Sequence, residues 1–186
     1  MGLLRKLLEL FHAPDLPRSP KISLGTVIET HVVDNSVQVV DDGLDYDEMI
    51  HLDAEDLAEQ GIAEAYEAIR PSLQKYIQCA EDVEELMDFE VGVYTVRFRG
   101  QEFVVYSPEL GAEGESCGRA TFVFFNIINE QLKNGNVRLY AFYGGNDLGG
   151  MFLNEAAVEK CRTALSNRRH WPYIPVLESP WYGQYH

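Results

Sequence analysis

A chain of 186 residues with 46% hydrophobic and 11% aromatic residues has enough apolar material for one self-sufficient domain, which excludes disorder over most of its length. Its 30 acidic residues against 15 basic ones give a formal charge of -15, which repels phosphate backbones and argues against nucleic acid as a partner. No apolar run approaches the ~18 residues of a spanning helix, so integral membrane association is not expected.

Leu3, Leu4, Leu7, Leu8 and Phe11 recur at helical spacing and predict a short amphipathic N-terminal helix. One such helix is a marginal membrane anchor, and docking on the domain or on a neighbouring copy fits its stripe better, which leaves a homo-oligomer open. Pro14, Pro17 and Pro20 make a stiff linker, so residues 1–20 read as a helix plus linker and 21–186 as the domain. Ile22 to Val33 and Val37 to Val40, joined by the turn residues Asp34, Asn35 and Ser36, predict an antiparallel hairpin.

No Lys or Arg stands between Lys21 and Arg70, while Asp41, Asp42, Asp45, Asp47, Glu48, Asp53, Glu55, Asp56 and Glu59 crowd the same stretch. A second acidic cluster runs from Glu81 to Glu90. Such runs are ordinarily solvated faces, but a negative field of this kind can also dock a divalent cation or a basic protein partner, the latter with Asp41, Asp42, Asp45, Asp47 and Glu48 as the residues in play. Within the first run Asp53 is placed to cap a helix through Leu57, Ala58, Ala65, Tyr66 and Ile69. Gly61 can split it, and Pro71 suits the first turn of a further piece carrying Leu73, Tyr76 and Ile77.

Val91 to Phe98, Arg99-Gly100-Gln101 and Glu102 to Tyr106 give the clearest hairpin signal in the chain. Ala120, Val123, Phe124, Ile127, Ile128 and Leu132 then mark a helix stopped by Asn134-Gly135, and Phe122 and Phe125 widen its apolar face. Val137 to Tyr143 reads as an interior strand and Met151 to Leu153 as a shorter one, followed by a helix capped by Asn154. The segment after it is rich in Pro, Trp and Tyr and reads as an extended tail that buries its rings on the domain or offers them to another chain. The sum is a single α+β domain with one mostly antiparallel sheet of about five or six strands covered by helices.

Three constellations bear on chemistry. Cys117 precedes a long helix whose N-H groups can lower a thiol pKa, and Asn146, Asp147, His170 or His186 could complete a thiol hydrolase site. Glu113 and Glu115 oppose a thiolate there, and a small space-filling residue is the simpler reading. The loop Gly144 to Gly150 places four glycines around Asn146 and Asp147; it is either a ligand loop using Gly145, Asn146, Asp147 and Gly149 or a wide hairpin connection. The five His residues show no zinc-type pairing, and no sequence fingerprint calls for a cofactor. With three cysteines at wide spacing and no secretory leader read, the thiols are expected reduced in a cytoplasmic protein. Two functions follow as expectations: a non-catalytic interaction protein with an acidic face, in the manner of an inhibitor or immunity protein, or the Cys117 hydrolase.

Overall fold

The structure is a computed structural model that describes residues 41–110 and 115–186. The N-terminal helix, the proline linker and the first hairpin lie outside the described residues, as does Glu113. All described residues belong to one compact unit, Gln38–His186.

Among the described residues the fold is α+β, with two separate three-stranded antiparallel sheets instead of one sheet of five or six strands. After a 3-10 turn at Tyr46–Glu48 come β1 (Ile50–His51), α1 (Ala54–Glu59) and α2 (Ile62–Leu73). Then follow β2 (Glu84–Asp88), β3 (Val93–Phe98), β4 (Gln101–Tyr106), α3 (Ser116–Leu132), β5 (Val137–Phe142), β6 (Gly149–Asn154) and α4 (Glu155–Ala164). One sheet has the order β1-β6-β5 and the other β2-β3-β4.

The physical reason for two sheets is α3. Its buried residues cover most of its circumference and include Ala120, Val123, Phe124, Phe125, Ile127 and Ile128. A helix this apolar must be surrounded, and it packs on β4 of one sheet, on β5 of the other and on α1 and α2. Each fully buried aromatic or aliphatic side chain stabilises by roughly 1.5–3 kcal/mol, so α3 is the main organiser of the core. The Phe124 and Phe125 rings meet edge to face at 5.6 Å, the geometry their quadrupoles prefer.

The hairpin β3-β4 turns through Arg99 and Gly100, both at positive φ (51° and 76°), as a two-residue turn matched to strand twist requires. The first helical stretch breaks at Gly61 (φ 121°), whereas Pro71 sits in the last turn of α2 and starts nothing new. Gly61 offers no side-chain cap, so the amides of α2 are met from a distant strand. Glu85 Oε1 on β2 accepts from Ile62 N at 2.7 Å and Ala63 N at 3.3 Å, and Tyr94 Oη accepts from Ile62 N at 2.7 Å. Tyr94 in turn donates to Glu85. Burial first, and then that carboxylate, push the Tyr94 phenol well above its ordinary value, which keeps it a proton donor.

Residues 165–186 lie against the β1-β6-β5 sheet and the start of α3. Tyr173 exchanges both backbone hydrogen bonds with Ala141 on β5, at 2.7 and 3.0 Å. Ser179 and Tyr182 donate to Glu115 at 2.6 and 3.4 Å, and Tyr182 lies so close over Gly118 that a Cβ there would overlap its ring.

Candidate functional site

The acidic run beginning at Asp41 is built from short local turns. Asp41 accepts from Gly43 N at 2.9 Å and faces Lys160 Nζ at 3.4 Å. Asp45 caps the 3-10 turn by accepting from Asp47 N at 3.1 Å, Asp47 is exposed, and Glu48 reaches Lys75 at 3.6 Å. Asp42 departs from the expected docking role. It is 6% exposed, accepting from Leu44 N at 3.0 Å and from the Tyr46 hydroxyl at 2.6 Å. Burial and the Asp42 bond raise the Tyr46 phenol well above its usual range, and burial aided by Asp42 pushes the Cys161 thiol up to about 11. Asp42 is thus an internal acceptor, and the surface carboxylates of this run are Asp41, Asp45, Asp47 and Glu48.

Behind them runs a groove. A cavity of 340 Å³ between β1, α1 and α2 has a floor that includes Ile50, Leu52, Leu57 and Ile69, with Asp53, Asp56 and Glu64 among its lining residues. Its lining contains no Lys or Arg. A second depression of 350 Å³ shares Ile50 and Ser72 with the first and is bordered by Leu44, Asp45, Glu48, Lys75, Tyr76 and Phe152. Sharing Ile50 and Ser72, the two read as one trough with an apolar floor, in which the described lining residues include five carboxylates and a single cation, Lys75, paired with Glu48. Asp53 serves α1 as its N-cap, accepting from Glu55 N at 2.8 Å, while Asp56 takes the Gln60 amide. Among the described residues Asp53, Asp56 and Glu64 form no ion pair, so their field points outward unneutralised.

The glycine loop is shorter than its sequence suggests. Gly149 and Gly150 belong to β6 and are buried. Gly149 lies under Met49, whose sulfur would stand 2.9 Å from an added Cβ, so its lack of a side chain serves packing and not a ligand. Gly145, Asn146 and Asp147 form an exposed 3-10 turn closed by Leu148 N donating to Gly145 O at 3.2 Å. The Gly144 backbone lies against the Gln184 amide.

Cys117 stands in the first turn of α3, half-buried and packed on the core. The carboxylate before it, Glu115, is engaged by Arg119 at 3.1 Å as well as by Ser179 and Tyr182. His170 faces the Tyr143 ring at 5.7 Å and Asn167 Nδ2 at 3.3 Å, and His186 stacks on Trp181 at 4.6 Å. Among the described residues no hydrogen bond joins either imidazole, or Asp147, to the Cys117 sulfur. Nor does any group of three or more His, Cys, Asp or Glu side chains among them converge as a metal site would require.

No family model, curated protein or solved structure matches the chain. The groove therefore stands on its own geometry. Glu64 was missed by sequence reading because it sits beyond Gly61, outside the densest acidic run; the alternation of Ile50 and Leu52 with His51 and Asp53 was the available signal. Among the described residues no helix is long and apolar enough to cross a membrane.

Proposed function

We propose that this chain is a non-catalytic binding protein whose acidic trough receives a basic, partly apolar segment of a protein partner, in the manner of an inhibitor or immunity protein. One observation carries the reading: the trough combines an apolar floor with Asp53, Asp56 and Glu64, none of which is neutralised from within. Apolar contact there supplies affinity at about 25 cal/mol per Å² buried, and the carboxylates steer and orient a cationic partner. Asp45 and Glu48 extend the same field along the second depression.

The test is titration with a short amphipathic Leu/Lys peptide, followed by fluorescence anisotropy, alongside a Leu/Glu peptide of equal length. The Leu/Lys peptide should bind, with affinity falling as salt is raised through about 0.5 M because screening shortens the reach of the carboxylates. The double variant Asp56→Asn, Glu64→Gln should weaken it by about tenfold, equivalent to ~1.4 kcal/mol, with the melting behaviour little changed. Binding that ignores salt and both substitutions, or equal binding of the Leu/Glu peptide, would contradict the proposal.

A further inference from the structure

The C-terminal segment builds a second, chemically opposite feature. A cavity of 280 Å³ is lined by Tyr143, Gly144, Arg169, Tyr173, Trp181 and Gln184, together with Tyr185 and His186. Trp181 and Tyr143 are 48% and 37% exposed; His186 stacks on one face of Trp181 at 4.6 Å and His170 meets the Tyr143 ring at 5.7 Å, which leaves the remaining ring surfaces to a visitor, while Tyr173 is buried behind them. No carboxylate side chain lines it. Residues 162–186 carry Arg162, Arg168 and Arg169 against Glu178 alone.

The decisive observation concerns Arg169. With twice as many acids as bases, the chain offers its cations many possible partners. Among the described residues every Lys and Arg other than Arg168 and Arg169 does meet a carboxylate or a backbone carbonyl. Arg168 lies over the Trp171 and Tyr185 rings at 5.2 and 5.3 Å, leaving its charge behind one wall of the cavity. Among the described residues the Arg169 guanidinium has no such partner, although its backbone N-H is fixed by Asn167 at 3.1 Å. Two residues around the cavity also hold strained backbone: Tyr143 at φ 57° and Tyr182, next to Trp181, at φ 49°. Left-handed conformations of bulky residues cost about 1–3 kcal/mol and collect where a site must be held open. Tyr143 is kept there by Tyr173, which donates its hydroxyl to Tyr143 O at 2.7 Å. Burial pushes that phenol up to about 12, so it remains a donor at neutral pH.

From this juxtaposition we infer that the cavity binds a small planar anion, an aromatic ring carrying a carboxylate or phosphate, with the ring against Trp181 and Tyr143 and the anionic group on Arg169. An aromatic cage for a cation is disfavoured by Arg169 in its lining and Arg168 behind it. A guanidinium meets planar oxyanions through paired N-H groups and leaves the ring free to stack. Gly144 completes the floor, because any side chain there would displace Gln184.

The experiment is isothermal calorimetry on the full chain with four probes: 4-hydroxybenzoate (ring plus carboxylate), phenol (ring alone), acetate (carboxylate alone) and phenyl phosphate (ring plus phosphate). Saturable binding of 4-hydroxybenzoate or of phenyl phosphate, at least tenfold tighter than phenol and acetate, is expected, and the stronger of the two tells carboxylate from phosphate. Arg169→Gln should weaken it about tenfold without changing the melting temperature, since among the described residues that guanidinium holds no partner. Trp181→Ala and Gly144→Ala should weaken it as well, and Arg97→Gln, on the β2-β3-β4 sheet, should not. No saturable heat with either ring anion, phenol or acetate binding as tightly, or indifference to Arg169→Gln overturns the assignment.

Discussion

Replacing Glu85 by Ala removes the acceptor that holds the start of α2 to the β2-β3-β4 sheet. The carboxylate accepts from Ile62 N at 2.7 Å, from Ala63 N at 3.3 Å and from the Tyr94 hydroxyl. A hydrogen bond to a charged group is worth roughly 1.5–3 kcal/mol, and only the shorter backbone bond merits the full figure. The negative charge at a helix N-terminus adds about 0.3–1 kcal/mol. Tyr94 keeps its bond from Ile62 N at 2.7 Å, and its hydroxyl can fall back on Leu57 O at 3.5 Å, which limits the damage. The expected loss is therefore about 2–4 kcal/mol. With a urea slope of roughly 2 kcal/mol/M, the unfolding midpoint should fall by about 1–2 M. Glu85→Gln, which keeps an acceptor but no charge, should lose about half as much. Glu84→Ala is the control: its neighbour on β3 is Arg97, on an exposed face, and surface substitutions of that kind stay within about 0.5 kcal/mol. A Glu85→Ala midpoint indistinguishable from that of Glu84→Ala would refute the capping argument.

Thiol titration under native conditions should find exposed Cys79 reacting first, half-buried Cys117 more slowly, and Cys161, buried with its thiol pushed up to about 11, only after unfolding. A Cys117 that alkylates faster than a free thiol below neutral pH would revive the hydrolase reading. The Arg99 guanidinium beside Glu81, at 2.9 and 3.0 Å, holds that carboxyl below its ordinary value of 4.5. A depressed carboxyl stabilises the fold above its unfolded pKa, and the contribution fades as pH falls through the lower folded value. Arg99→Gln should therefore be less stable than the parent by a small, solvent-screened amount at neutral pH, and the gap should narrow as pH falls below 4.5 and through the depressed folded value. A gap that does not narrow in acid would show that the pair's charge is not what stabilises.

The parts of the fold legible from sequence are those whose burial is one-sided and long. The β3-β4 hairpin declares itself through alternation and the Arg99-Gly100 turn, and α3 through its repeated Phe and Ile. The strand β2 does not, because Glu84, Leu86 and Asp88 all point to an open face and leave only Glu85 and Met87 half-buried. Read in one dimension, that is an acidic cluster. The two-residue β1 is too short for any periodicity to register. The division into two sheets depends on how α3 inserts between them, a tertiary fact that no local pattern encodes. The site is divided in the same way. The surplus of carboxylates is visible in composition, but whether one of them faces water is not: Asp42 looks like its neighbours and is buried by contacts from Leu44 and Tyr46.

Arg169, unpaired among the described residues, is the converse case, since that standing is defined only once the described carboxylates have been located. Those pairings also decide how the charge of -15 is expressed. Almost all the described Lys and Arg are occupied by near neighbours, so they neutralise charge locally and project little field of their own. Among the described residues Asp53, Asp56 and Glu64 in the trough have no such neighbours and keep their field. A protein of this composition could have spread its cations to lower self-repulsion everywhere; here Asp53, Asp56 and Glu64 remain clustered, with only the start of α1, which Asp53 caps, to offset their mutual repulsion among the described residues. Under the proposed function a partner bearing the opposite charge gains from that field when it binds, and for that reason the proposal places recognition at the trough and not at the more numerous scattered acids.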